Sequence, residues 1–455
     1  MHGERRSAVP TYCIYVLNRA LQKQTFAEGK PPPATFGNRS LGTMKRHNII
    51  FLLDAPNPKL LDGDTLRILK YSRWLRKMGH RIYFLVPNWS YRPEVLQELV
   101  DRGDIDDFAR LANYRTSGLL NAISRLFIVP GIRNRMLRSQ QQKVVGEILT
   151  EVERRDCDLI ILHQRSYLFA IDQLKKSVAV AIDWCDSFAL ASWRSLKLSL
   201  RRWDVTKLTN DLRYLVAYAA EESYYPRRAH SNLVVSPVDK SVMGRLSRAP
   251  QLIQVIPNGI SFPASAQKCD RLPERLIFTG WMNFPPNYEG ALWFLDFVFP
   301  LIVKAKPNVQ FVIAGADPIP KLRARTDRNV QVTGAVPDLS VEIARSQIYV
   351  APLVSGSGFK NKVFEAIAAG TYVVATSYAA EFLTPELREC VTVADGATGL
   401  ARAILGALAD PEALRESVQT AQAILRNDYS WEVRSQALER ILDVSVARQR
   451  AAVGH

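Results

Sequence analysis

Residues 350–376 read VAPLVSGSGFKNKVFEAIAAGTYVVAT: the end of an apolar strand, a glycine-rich loop, a short helix of small residues closed by Gly370, and a second apolar strand. Two such strands flanking a helix form a βαβ unit, which builds a parallel sheet. Gly356, Ser357 and Gly358 fall where strand turns into helix. Glycine permits positive φ and close backbone approach, so the amides there can face an anion at the helix N-terminus. Lys360 and Lys362 fall in the first turn, where a cation opposes the helix dipole unless an anion lies between them. Glu365 follows three residues after Lys362, far enough into the helix to accept from hydroxyls while the lysines reach phosphate. A sugar nucleotide offers both groups. A plainer reading stays open: glycine-rich loops before helices, with solvated lysines, are common in α/β proteins. The dinucleotide fingerprint fits poorly, because Asn361 stands where its third glycine belongs, and no Gly-Lys-Ser/Thr loop occurs at P-loop spacing.

The same pattern extends on both sides. NIIFLLDAP (48–56), RIYFLVP (81–87), DLIILH (158–163), VAVAIDW (178–184) and SNLVVSP (231–237) read as short apolar strands separated by helical lengths and a helical, basic middle. RLIFTG (275–280), VQFVIAG (309–315), VQVTG (330–334), QIYVAPL (347–353) and TYVVAT (371–376) form a second such series. The expected architecture is α/β, with two Rossmann-like doubly wound domains facing across a cleft. The expected division is a disordered tail over 1–43, an N-terminal domain over 44–250, a C-terminal domain over 251–430, and a closing helix and tail over 431–455. Met44 is an alternative start to Met1.

A chain of 455 residues, 47% hydrophobic, can bury the cores of two or three domains. The net charge of +16 points to anionic partners: nucleotides, nucleic acid or an acidic membrane face. The five cysteines are scattered without a CxxC pair or nearby histidine cluster, which indicates neither a disulfide framework nor a zinc site and fits a reducing cytoplasm. ALWFLDFVFPLIV (291–303), broken by Asp296 and Pro300, reads as a buried helix rather than a membrane span.

FTGWMNFPPNYEGALWFL, FVIAGADP, VQVTGAVPDL, the stretch at 350–376 and the later YSW, in that order, resemble the nucleotide-sugar half of family 4 retaining glycosyltransferases with the GT-B fold. The likeness is nearest to sugar transferases of bacterial exopolysaccharide and exosortase-associated clusters. It covers roughly residues 252–440, and 48–250 more weakly. It implies that Glu365 binds the donor ribose, that Gly356, Gly358, Lys360 and Lys362 surround the diphosphate, and that Ser357 belongs to the donor site. It further places Gly280 at the donor and Val336 near the base. Ser357 stands where the family has the first of two glutamates, and Trp281 where many relatives carry arginine, so the two lysines are expected to supply the missing positive charge. The implied reaction transfers a sugar from a nucleoside diphosphate sugar to a glycan or lipid-linked acceptor, without metal or other cofactor. The DxD look-alikes DGD, DID and DCD have no matching site in this fold. The alternative is a non-catalytic nucleotide-sugar-binding or scaffolding relative.

In the N-terminal half, Gly63 falls in the loop after the first strand, either beside the diphosphate or as a plain turn. His163 ends a core strand and is expected to project into the cleft, where it donates to a sugar hydroxyl; a structural histidine is the competing reading. Asp186 is the preferred acceptor-facing carboxylate, with Asp183 bracing the strand. His163, Asp186 and Lys360 are the catalytic candidates. Between Phe108 and Gly146 lie Arg110, Arg115, Arg125, Arg133, Arg135, Arg138 and Lys143, with no acid. FALASWRSLKLSLRRW repeats apolar residues at 190, 193, 196, 200 and 203. Both stretches read either as core helices or as helices on an anionic membrane surface, at the inner face of the cell membrane. No nucleic-acid-binding signature accompanies the charge, so nucleic acid is not expected as a partner.

Overall fold

The computed structural model describes residues 46–53, 63–88, 93–112, 130–163, 165, 167–202, 205–355 and 358–454. The expected tail, Met44, Arg115 and Arg125 lie outside these residues. The chain divides into two compact units, one running to Ile256 and resuming at Ser435, the other spanning Pro257–Arg434.

The first unit holds seven strands: β1 (Asn48–Leu52), β2 (Arg81–Pro87), β3 (Asp107–Leu111), β4 (Leu159–His163), β5 (Ala179–Cys185), β6 (Ser231–Val234) and β7 (Ile253–Val255), in the order β3-β2-β1-β4-β5-β6-β7. Every pairing is parallel. Ile49 to Leu52, Leu159 to Leu162 and Ala179 to Ile182 are almost wholly buried, as continuous apolar strands covered on both faces must be. The second unit holds β8 (Leu272–Thr279), β9 (Gln310–Ala314), β10 (Val330–Gly334), β11 (Ser346–Ala351), β12 (Tyr372–Ala375) and β13 (Thr392–Val393), in the order β10-β9-β8-β11-β12-β13, again parallel. In each sheet the strand order reverses beside the first strand, between β1 and β4 and between β8 and β11. Open α/β sheets bind ligands outside the carboxyl ends at that point.

Several local expectations change. The basic stretch from Phe108 begins as a strand: Phe108 to Leu111 belong to the edge strand β3, so Arg110 is not helical. Gly63 opens the helix Gly63–Lys77 instead of lying in the preceding loop. The stretch 291–303 is helical but turns through a wider π segment, Phe294–Val298, and only one face is buried; Phe297 is 60% exposed. In the helix Phe188–Arg202 the apolar stripe is chiefly core: Leu190 and Leu196 are buried and Trp193 packs beside Leu215 and Ala219 of the helix Val205–Tyr224. Leu200 is left exposed, and Trp203 lies outside the described residues.

The closing helix, Trp431–Val453, is integral to the first unit from Ser435 onward. His47 and His80 stack with centroids 5.7 Å apart, His47 Nε2 lies 2.7 Å from Asp443, and His80 Nε2 lies 2.8 Å from Glu439. Ser445 bonds Ser231 at 2.6 Å.

Candidate functional site

At the carboxyl ends of β8 and β11 the second unit assembles most of the predicted donor residues. Gly280 follows β8 with φ 153°, and a Cβ there would fall 2.6 Å from Asn287 Nδ2 and 3.1 Å from Lys362 Nζ. Only glycine fits. Gly315, after β9, is tighter still: a Cβ would lie 1.7 Å from the Gly280 carbonyl oxygen. The two strand ends therefore close on each other, and Lys362 reaches over them from the helix Asn361–Ala368. Its ammonium donates to Asn287 Oδ1 and lies 4.9 Å from the Phe278 ring centre. Asn287 in turn donates to the Trp281 carbonyl at 2.9 Å, and the exposed Trp281 indole donates to Asp317 at 3.1 Å.

Burial pushes the Lys362 ammonium down to about 7, Lys360 adds to the shift, and Glu365 opposes it. Glu365, one turn along the same helix, is open to water. The protein around it raises its carboxyl above the ordinary range, Lys362 pulls the other way, and contact with water limits the effect. Among the described residues neither group is within ion-pair distance of an opposite charge. Lys360, the residue preceding the helix, is buried; its ammonium donates to the Gly358 carbonyl at 3.0 Å and lies over the rings of Tyr378 and Phe382. In this conformation Lys360 braces the loop from beneath, with Gly358 at φ 83°, whereas Lys362 faces Gly280. Gly356 and Ser357 lie outside the described residues. Val336 is part-buried in the connection after β10.

In the first unit, His163 and Asp183 are register partners at the ends of β4 and β5, both buried. Asp183 accepts from Arg67 Nε at 2.8 Å and from Nη2 at 3.2 Å, while Arg67 Nη1 donates to the Ile256 carbonyl at 2.9 Å. Burial alone would favour neutral Arg67, but the Asp183 carboxylate more than reverses this and its pKa is raised. Asp183 is thus a brace, as expected. Ligand atoms of His163, Asp183 and Cys185 lie within 4.8 Å of one another, a separation a metal ion could bridge. The Arg67 guanidinium already sits on the carboxylate such an ion would need, so the donor set suits a cation poorly. Asp186 follows β5 and is part-buried.

Three groups escaped the sequence reading. Arg67 and Asp183 are 116 positions apart, and an arginine inside a helix ordinarily reads as solvated. Asn287, in the first turn of the helix Pro285–Trp293, signals itself only as a polar residue beside an apolar run. Glu222 is fully buried, accepting from Ser187 Oγ at 2.7 Å and from the Ala189 amide at 3.0 Å, which ties down the segment after Asp186. Burial pushes its carboxyl up to about 8 despite these donors. Beside it, Glu221 holds Arg165, two residues after His163, at 3.0 Å.

Residues 273–410 match the family described as Glycosyl transferases group 1. The phosphatidyl-myo-inositol mannosyltransferase of Mycobacterium tuberculosis is 27% identical over 237 residues, 46% of this chain and 62% of that protein. An uncharacterized 44.6 kDa protein in the cps region of Klebsiella pneumoniae is 23% identical over 179 residues, 37% of this chain and 46% of that protein. The chain thus spans about half to three-fifths of the length of these relatives. Among solved structures, Anabaena Alr3699/HepE in complex with UDP and glucose superposes with a TM-score of 0.56 at 14% identity, over 88% of this chain and all of that one. The likeness in structure establishes the fold, and the chain has the two-domain α/β architecture of GT-B glycosyltransferases, with its likeness to the group 1 glycosyl transferases lying in the second unit.

Proposed function

We propose that the protein is a retaining, family 4 type glycosyltransferase that moves a hexose from a nucleoside diphosphate sugar to a glycan or lipid-linked acceptor in exopolysaccharide assembly. One observation carries this reading: Gly280, Lys362 and Glu365 are grouped at the switch point of the second sheet, presenting a cation and a carboxylate that form no ion pair among the described residues. Lys362 is assigned to the diphosphate and Glu365 to the ribose hydroxyls, with Val336 toward the base. The UDP and glucose of the Anabaena structure and the phosphatidyl-myo-inositol acceptor in the mycobacterial relative's name support the two substrate classes. No cofactor is assigned. Among the described residues no helix is long and apolar enough to cross a membrane; a cytoplasmic protein that meets its acceptor at the inner membrane face is the reading we adopt.

In the proposed reaction the bond from the anomeric carbon to the diphosphate breaks and a bond to the acceptor oxygen forms on the same face. The acceptor proton passes to a donor phosphate oxygen, so no protein base is demanded. Preorganised charge at the departing diphosphate carries much of the acceleration, the part assigned to Lys362 and the loop amides. His163 and Asp186 are assigned to orienting the acceptor. The test is release of nucleoside diphosphate from UDP-, GDP-, ADP- and TDP-sugars with membrane lipid extract as acceptor, with the anomeric configuration of the product read by NMR. Transfer with retention supports the proposal; inversion removes the mechanism. Tight nucleotide-sugar binding without turnover would favour the non-catalytic reading, which Ser357 at the usual glutamate position motivates.

A further inference from the structure

The second unit has a further cavity, of about 620 Å³, at the opposite end of its sheet from Gly280 and Lys362. It opens beside the amino ends of β8, β11 and β12, where Arg271, Gln347 and Tyr372 line it. Its floor is the C-terminal end of the helix Asn361–Ala368. Carbonyls there would ordinarily make the floor negative, but donors cover two of them. Arg271 Nη2 donates to Gly370 at 2.6 Å, and Gln422 Nε2 donates to Ala368 at 3.0 Å. Arg271 and Gln422 also converge above Gly370, whose missing Cβ would lie 3.3 Å from Gln422 Nε2 and 3.9 Å from Arg271 Nη2.

The charge in this cavity is unbalanced. Among the described residues no carboxylate lies within ion-pair distance of Arg271, and the charge that bears on it is that of a second cation in the same lining, Arg415. Partial burial and then Arg415 hold the Arg271 guanidinium below its ordinary range. The acid in the lining, Glu412, is exposed and pairs with Arg415 at 3.1 Å, a surface contact that a better anion can displace. The start of the helix Ala413–Tyr429 stands at the rim and adds a partial positive charge. Ala266, Ala344, Leu414 and Val418 provide an apolar wall. The volume is that of a small-molecule pocket rather than a lone ion site.

We propose that this cavity is a second ligand site, which takes a small phosphorylated metabolite with its phosphate between Arg271 and Arg415 and its body against the apolar wall. Guanidinium forks match phosphate oxygens in pairs, and an anion there relieves the repulsion between the two cations. The cavity and the Lys362–Glu365 segment lie at the two ends of one helix of eight residues, about 12 Å long by its rise, so occupancy of the first can bear on the second.

Cys269, a free, part-exposed thiol in the cavity lining, supplies a local readout. The full-length protein is alkylated with iodoacetamide, and the rate at Cys269 is followed by peptide mass spectrometry. Probes are glycerol 3-phosphate and inorganic phosphate, against glycerol and sodium chloride at matched ionic strength. At ten times its dissociation constant a probe should slow Cys269 about tenfold, because only the empty site reacts. Protection should vanish in Arg415→Ala, whose side chain is exposed, and in Arg271→Gln, with thermal melts confirming that both variants are folded. No protection of the wild type, equal protection by chloride, or protection that survives in both variants would overturn the proposal.

Discussion

At the carboxyl end of the first sheet, Asp183 holds the Arg67 guanidinium in a two-bond pair sealed from solvent. At the equivalent end of the second sheet, Lys362 and Glu365 share one short helix, and among the described residues neither is paired with an opposite charge. The strand orders are alike, so the contrast lies in the side chains. A buried pair that satisfies itself leaves little for a ligand, and removing one partner strands a charge. A cation and a carboxylate left unneutralised in a recess that water reaches keep their capacity for a ligand. The first end is finished as structure; the second keeps the open charges that the proposed donor site requires.

This contrast can be broken most sharply at Asp183. Asp183→Ala should cost about 3 to 5 kcal/mol of stability by leaving Arg67 buried without its partner, read by urea unfolding. A cost no larger than that of an exposed substitution would mean that the pair is not the brace described. The buried Glu222 sharpens the same side. Its folded pKa of about 8 lies above the usual glutamate value, so the stability it contributes is fully present below about pH 4.5 and is lost as pH rises to about 8. Glu222→Gln should flatten that part of the stability profile, while an unchanged slope would show that another group sets it.

On the receptor side the expected losses are in affinity. Lys362→Met should weaken nucleoside diphosphate binding by roughly 1.5 to 3 kcal/mol, about 10- to 150-fold, the worth of a hydrogen bond to a charged group, with the melting temperature of the free protein little changed. Because Lys362 sits near 7, its ammonium is lost as pH rises past neutrality. Wild-type affinity, measured calorimetrically, should therefore fall up to about tenfold per pH unit above 7, and Lys362→Met should lose that dependence. The smallest effect belongs to the helix Phe188–Arg202. Leu200→Ser should change stability by no more than about 0.5 kcal/mol, whereas Leu196→Ala, inside the packing, should cost about 2 to 5 kcal/mol. If Leu200→Ser also lowers binding to anionic vesicles in sedimentation, the exposed end of that helix touches membrane; unchanged binding removes it from that role.

Much of this was legible in the chain because buried parallel strands carry a signal that needs no partner: IIFLL, LIIL and FVIA are apolar without interruption. β3 was missed because DFARL is a half-exposed edge strand with charges at both faces, and β13 is only two residues long. Gly280 stands directly after one apolar strand and Lys362 and Glu365 on the short helix after another, which is as much of their grouping as the sequence carries. The turning of Lys360 beneath its loop is beyond it, since spacing fixes which turn a lysine occupies and not which way its ammonium points. The Arg67–Asp183 pair and the buried Glu222 were hidden for another reason. Charged residues on amphipathic helices look solvated until the tertiary structure shows what lies over them.

The most direct measurement is the thermal stability of the purified protein with UDP, GDP, ADP and TDP, for the wild type, Lys362→Ala and Glu365→Ala. A diphosphate at about a hundred times its dissociation constant should stabilise the wild type by roughly 2.7 kcal/mol, and both variants should lose most of that gain at the same concentration. A wild type that answers to none of the four, or variants that respond as fully as it does, would contradict the claim that the second sheet's switch point is the nucleotide site.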